Sequence, residues 1–272
     1  MIPDIQLKMG KRCVSDEQLP KLTELSRFVA EVANLDHNSQ YPFVGANAFT
    51  HKGGTHVAAM LRNPEAYQHI DPMLVGNERR SVVSELSGRG NLRELMGTFG
   101  LSLNNEKLTD VLEQIKELEN QGFSFEAAEA SVELMMRRTQ PGYVPPFEVK
   151  DLTVIQLLRK NGKFSAEASV KVRVGPQMMH TVASGNGPVN AIDKALRKAV
   201  VDVYPQVKAV QLADYKVRIL DGDNATAATT RVLIDSKKGN KTWSTVGASP
   251  NITEASWRAL ADSLEYAIIH FG

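Results

Sequence analysis

Apolar residues change their spacing near residue 140 of the 272-residue chain. Before that point Leu22, Leu25, Phe28, Val29, Val32 and Leu35 recur at three- and four-residue steps, as do Leu108, Val111, Leu112, Ile115 and Leu118. Such steps lay one apolar stripe along a helix. Phe125 to Arg138 is rich in alanine, glutamate and methionine, all good helix formers, so short helices joined by polar turns are predicted up to residue 140. Beyond it the period is two. In SAEASVKVRV, Ala166, Ala168, Val170, Val172 and Val174 share one face while Ser165, Glu167, Ser169, Lys171 and Arg173 share the other, the pattern of a half-buried strand. DYKVRIL and TTRVLID read the same way. The stretch PGYVPP at 141–146 separates the two regimes; its prolines remove donors and disfavour helix before them, so a linker is predicted at 141–150.

The strand-rich part contains its own copy. An offset of 64 pairs Thr181-Val182 with Thr245-Val246, Ala191 with Ala255, Lys194 with Arg258, and Ala195-Leu196 with Ala259-Leu260, without a gap. Each group of strands leads into a helix, one lined by Ala191, Ile192, Ala195, Leu196, Ala199 and Val203, the other by Ala255, Ala259, Leu260, Leu264 and Ile268. The reading is α+β: small helical subdomains followed by two pseudo-twofold βββα repeats. One such unit rarely buries its apolar face alone, so the halves are expected to pack together and to form a cleft where they meet.

Composition narrows the classes. With 32 basic against 31 acidic side chains there is no basic stretch dense enough to neutralise many phosphates, so no nucleic-acid partner is expected. No apolar run is long enough for a bilayer and no secretory leader is recognisable, so no membrane partner is expected and a cytoplasmic location is. The single cysteine, Cys13, cannot form an internal disulfide and reads as a packed small hydrophobe. No Cys/His set has zinc spacing, so no metal is expected on this chain.

Three stretches carry candidate chemistry. In GNGPVN, a glycine-rich turn enters a helix at Gly185, Asn186, Gly187, Pro188 and Val189. Free N–H groups at such an end suit a carboxylate or phosphate; alternatively the glycines only permit a tight turn with proline at the first helical position. GASPNIT at 247–253 is its counterpart, and two such helix ends could face one ligand. In THKGGTH, His51 and His56 flank two glycines, with Asn63 and Tyr67 following. An imidazole there is either a base or hydrogen-bond donor, or simply a turn residue. Arg79, Arg80 and Arg89 are either acid-binding groups or ordinary surface charges near a helix cap.

Taken together, NAFTHKGGTHVAAMLRNPEAYQHIDPMLVGNERR, SELSGRGN, GNGPVNAIDKALRKA, LADYKVRILDG and TVGASPNITEASWRALADSLEYA closely resemble the C-terminal half of the isopropylmalate, citramalate and homocitrate synthase family, over nearly the whole chain. The last two stretches look most like its citramalate synthase branch. The resemblance implies a Claisen condensation of acetyl-CoA with a 2-oxo acid in the parent enzyme, on a barrel carrying a divalent metal at an R-D-G motif and an H-x-H pair. Neither motif occurs here, so the chain is expected to lack the catalytic barrel, to hold no cofactor itself and to be inactive alone.

The resemblance further implies the layout. Residues 1–36 are the end of the barrel and a linker helix, 37–140 are helical subdomains that complete a partner's active site, 141–150 are a linker, and 151–272 are an allosteric, dimer-forming domain. His56, Tyr67 and, more weakly, Asn63 match residues contributed in trans to the acetyl group's deprotonation. Gly185, Asn186, Gly187, Pro188 and Val189 match an effector site for leucine or isoleucine, to which Asp214 and Tyr215 add candidates for the ammonium and rim, and Ala225 and Ala227 room for the side chain. A homodimer follows. The other reading kept open is a free-standing branched-chain amino-acid-binding or assembly module that acts on another chain.

Overall fold

A computed structural model describes the chain except residues 34, 36, 52–55, 57–58, 61, 64–65, 82–88, 159 and 161. It divides into two compact units, Met1–Leu95 and Met96–Gly272.

In the first unit, helix α1 (Leu22–Val32) follows a 3-10 turn at Leu19–Lys21. A small core forms from Phe43, Phe49 and Val75, with Leu7, Leu22 and Ile70 against it. Polar side chains fix the chain around that core. Buried Asn77 donates from Nδ2 to the carbonyls of Phe43 and Gly45, each at 2.9 Å, and Thr23 Oγ1 donates to Val75 O at 2.7 Å. Gly76 lies at φ 68°, and a Cβ there would stand 1.8 Å from Pro20 O, so only glycine lets these segments meet. Short strands β1 (Thr50–His51) and β2 (Arg80–Ser81) pair in parallel. The stripe read from the sequence is present on α1, yet Leu25, Phe28, Val29, Val32 and the following Leu35 are exposed. Cys13 is exposed as well, contrary to the packed reading: its backbone N–H is held by Gln6 Oε1, and that leaves the thiol outside the core.

Helix α2 spans Arg89–Thr98. The second unit then runs α3 (Asn105–Asn120), α4 (Glu129–Arg138), β3 (Glu148–Leu158), β4 (Phe164–Val174), β5 (Gln177–Gly185), α5 (Pro188–Val200), β6 (Gln211–Ile219), β7 (Thr230–Lys238), β8 (Lys241–Ser249) and α6 (Ile252–Phe271). Strands β3-β4-β5 and β6-β7-β8 form two antiparallel three-stranded sheets. Ala166, Ala168, Val170, Val172 and Val174 are buried, as the alternation requires, and form one core with Ile192, Leu196, Val232, Ile234, Ala259 and Leu264. The architecture is thus α+β with paired βββα repeats, and the described residues form no barrel.

The repeat extends to individual hydrogen bonds. Thr181 Oγ1 donates to Ala195 O at 2.7 Å, and 64 residues on Thr245 Oγ1 donates to Ala259 O at 2.7 Å. Lys194 Nζ reaches Ser184 O at 3.4 Å and Arg258 NH1 reaches Ala248 O at 3.5 Å. Both first strands carry a register shift at the same place, between Val149 and Asp151 and between Leu212 and Asp214. Such a bulge inserts one residue and reverses which face later side chains take.

Residues 141–150 lie inside this second unit. Arg138 NH2 binds Asp262 at 2.7 Å and Glu265 at 2.6 Å, and Tyr143 donates from its hydroxyl to Glu265 at 2.6 Å. Burial raises the Asp262 pKa against the pull of Arg138. The proline-rich stretch is therefore tied to α6 at its start, and β3 begins directly after it.

Candidate functional site

The site is built from the connection between β5 and α5, which consists of Asn186 and Gly187 alone. A Cβ at Gly185 would stand 2.5 Å from Ala191 N, so glycine lets the strand end pass against the helix's first turn. Gly187 has a different reason to be bare. Its backbone is extended and nothing lies within 4 Å of where its Cβ would be. No side chain caps α5, Pro188 has no N–H, and the first helical bond runs from Ala191 N to Gly187 O at 3.0 Å. The N–H groups of Val189 and Asn190 therefore point outward without a helical acceptor, at the positive end of the helix dipole.

A cavity of about 380 Å³ opens at this end. Asn186, Gly187, Pro188, Val189 and Asn190 form one side, and Leu212 and Tyr215 of β6 another. Leu260, Ser263 and Leu264 of α6 form the back, beside Ser236 of β7. Tyr215 is held by a 2.6 Å hydrogen bond between its hydroxyl and Ser256 Oγ. The Ser236 and Ser263 hydroxyls bond each other at 2.6 Å, and Trp243 Nε1 donates to Ser263 Oγ at 3.1 Å. On α5 itself, Asp193 and Arg197 complete the lining.

Of the residues read from the sequence, Asn186, Gly187, Pro188, Val189 and Tyr215 thus meet around one cavity, with Gly185 behind it. Asp214, Ala225 and Ala227 do not line it. Asp214 follows the bulge and neighbours Tyr215, so alternation sends its side chain to the other face of the strand, where Lys216 Nζ stands 2.7 Å away and lowers its pKa. Ala225 and Ala227 belong to the exposed 3-10 turn Gly222–Ala227 beyond the end of β6. Asp193, Arg197, Leu212 and the α6 residues were missed by the sequence reading.

The second helix end does not line this cavity. At α6, Asn251 Oδ1 accepts from the N–H groups of Thr253 at 2.9 Å and Glu254 at 3.3 Å, so the end is closed by its own side chain. It borders a second cavity of about 550 Å³, with Leu152, Val154 and Trp257, where it meets Pro188 at the start of α5, so the two helix ends do face one space there.

In the first unit, the rings of His56 and Tyr67 stack, with centroids 4.2 Å apart and planes 20° from parallel. Both are exposed. Asn63, also exposed, accepts from Ala66 N at 3.0 Å through its backbone carbonyl. His51 is partly buried, and burial is the main cause lowering its pKa, followed by repulsion from His56 and Arg79. The glycines at 53 and 54 between the two histidines, and the side chains of Arg80 and Arg89, lie outside the described residues. Among the described residues no three His, Cys, Asp or Glu side chains are grouped to hold a metal ion, and no helix is long and apolar enough to cross a membrane.

Comparison with known proteins assigns the class to this architecture. The family model for the LeuA allosteric (dimerisation) domain matches residues 126–268, and that for the homocitrate synthase post-HMGL domain-like region matches residues 43–122. The chain belongs to the isopropylmalate, citramalate and homocitrate synthase family and carries its LeuA-type allosteric (dimerisation) domain. It is 48% identical over 271 residues to an (R)-citramalate synthase of Geobacter sulfurreducens, covering 98% of this chain and 51% of that protein. The chain is also similar to the (R)-citramalate synthases of Synechocystis (48%, 98% of this chain and 50% of theirs) and Aquifex aeolicus (44%, 99% and 52%) over a comparable length. The chain spans about half the length of the curated relatives it matches, corresponding to their C-terminal half.

Proposed function

We propose that this chain is the regulatory and inter-subunit part of a citramalate synthase type of acyltransferase, and that a branched-chain amino acid, leucine or isoleucine, binds it as a feedback effector. The observation that carries the reading is the cavity joining the uncapped end of α5 to Tyr215. Outward N–H groups suit a carboxylate, and Val189, Leu212, Leu260 and Leu264 suit an aliphatic side chain. In this reading acetyl-CoA, the divalent metal and the 2-oxo acid are handled by the other half of the parent enzyme. The His56 imidazole, braced on Tyr67, is offered to a partner subunit's acetyl group, where it assists proton removal or steadies the enolate oxygen.

Two surfaces support the inter-subunit part of the reading. Ile155, Met178 and Val182 are exposed on the outer face of the first sheet, and Leu25, Phe28, Val29 and Val32 are exposed along α1. The former fits pairing in a homodimer, the latter packing against further protein.

Calorimetric titration with isoleucine, leucine and valine tests the effector site. One of them is expected to bind, and Gly187→Trp to abolish that binding by filling the cavity. The substitution is tolerated by the backbone, since residue 187 is extended with open space around it. Absence of heat with all three amino acids would remove the effector reading.

A further inference from the structure

The cavity contains a carboxylate that the sequence did not single out. Asp193 lies on α5 one turn beyond Val189 and Asn190, and lines the same space. Side chains on a helix lean toward its N-terminus, so a residue at this position covers the turn before its own Cα. The carboxylate is thus carried back toward the exposed N–H groups of 189 and 190, placing an acceptor of positive charge beside donors for negative charge.

Asp193 is also held in place. Arg197 Nε donates to its Oδ1 at 2.8 Å, while Arg197 NH1 is taken up by the carbonyls of Val207 at 2.7 Å and Val210 at 3.0 Å. The guanidinium is anchored to the turn before β6, and the carboxylate is anchored to the guanidinium. That bond uses Oδ1, which leaves Oδ2 for a ligand. The acid next to Tyr215 in sequence, Asp214, is on the other face of β6 and is paired with Lys216.

We propose that Asp193 is the residue that accepts the ligand's ammonium group, so that the pocket selects a free aliphatic α-amino acid over a carboxylic acid of the same shape. The carboxylate and ammonium of an α-amino acid leave the same carbon and span less than one helical turn. Both therefore reach α5, one at its N–H end and one at Asp193, while the side chain faces Leu212, Leu260 and Leu264. This rests on the effector reading given above and adds to it the group that discriminates.

The test is calorimetry on the full 272-residue chain with four probes: L-isoleucine, L-leucine, 3-methylpentanoate and 4-methylpentanoate. The last two lack only the amino group of the first two. The unaltered chain is expected to bind its preferred amino acid tighter than the matching acid by about tenfold or more, because a charge-assisted hydrogen bond is lost with the ammonium. In Asp193→Asn, which keeps an oxygen for Arg197, that preference is expected to vanish while binding of the amino-free acid is retained. Retained acid binding also reports that the pocket is folded; Asp193→Ser is the second variant if asparagine prevents folding. Asp193→Asn binding the amino acid as tightly as the unaltered chain would overturn the role of Asp193 and leave the effector site standing. An unaltered chain that binds none of the four probes overturns the effector site itself, and Asp193's role with it.

Discussion

The two βββα repeats share a register, a bulge and a threonine that ties strand to helix, yet their helix ends are finished in opposite ways. At α6, Asn251 takes the N–H groups of Thr253 and Glu254, while Ser249 Oγ donates to Glu254 Oε2 at 2.7 Å and accepts from Asn251 N at 3.0 Å. At α5 the corresponding positions are Gly185, Gly187 and Asn190. Two of these have no side chain to offer, and Asn190 Oδ1 approaches Asn186 N at 3.4 Å instead of the helix's own first turn. Duplication therefore supplied two equivalent helix ends, and side chains at three positions decide which is satisfied internally and which is left for a ligand.

The comparison is broken most strongly by giving α5 the cap of α6. Asparagine at position 187 accepts from the same N–H groups that the proposed effector needs, and the extended backbone there admits it. In Gly187→Asn, effector affinity measured by calorimetry is expected to fall by about tenfold or more, since the N–H groups are then engaged with the protein. Stability changes little, because exchanging glycine for asparagine at an N-cap is worth only about a few tenths of a kcal/mol. A variant that binds as well as the unaltered chain would show that the open end is not where the carboxylate sits.

Much of the frame behind this comparison is legible in the sequence, because it depends on local periodicity. Residues 166–174 alternate without exception, and the ungapped offset of 64 survives because both repeats bury the same faces. Residues that depend on distant packing were not legible. The three- and four-residue stripe specifies α1 as a helix, but whether Leu25 and Phe28 are covered depends on what the chain packs against, which no period reports. In the cavity, the resemblance offers Asp214 together with Tyr215, although neighbours on a strand face opposite ways. The bulge deepened the error. Leu212 and Tyr215 are three apart, which on a regular strand places them on opposite faces, yet both line the cavity after the register shift. Asp193 was accessible in principle through the lean of helical side chains toward Val189, and Leu260, Ser263 and Leu264 through their three- and four-residue spacing.

A medium-sized effect sharpens the equivalence of the repeats instead of breaking it. Thr181 and Thr245 are both buried and each donates to a carbonyl of the following helix at 2.7 Å. Replacing either with valine removes the donor while keeping the shape, and the helical carbonyls retain their own helix bonds. Each variant is expected to lose about 1 kcal/mol. In a domain of this size that is a fall in Tm of about 2–4 °C. Equal losses in differential scanning calorimetry confirm that the two repeats are energetic as well as geometric copies. A loss confined to one would mean that the duplicated bond has been kept without duplicated value.

The smallest expected effect separates the repeats by pH. Glu254 in the α6 cap has its pKa lowered, first by the Ser249 hydroxyl and then by Arg258. A carboxyl whose folded pKa lies below its unfolded one contributes stability above the unfolded value, and loses it as pH falls through the folded value. The window is thus from just above the usual glutamate range downward. The corresponding position in the first repeat, Asn190, does not titrate, so this contribution has no counterpart at the α5 end. Glu254 is largely exposed, and with solvent screening the contribution is about 0.5 kcal/mol, or about 1–2 °C in Tm. The expected observation is that Glu254→Gln lowers Tm at pH 7 by that amount and converges with the unaltered chain at low pH. A constant difference across the titration would show that the Ser249 and Asn251 bonds, not the ionised carboxylate, close the α6 end.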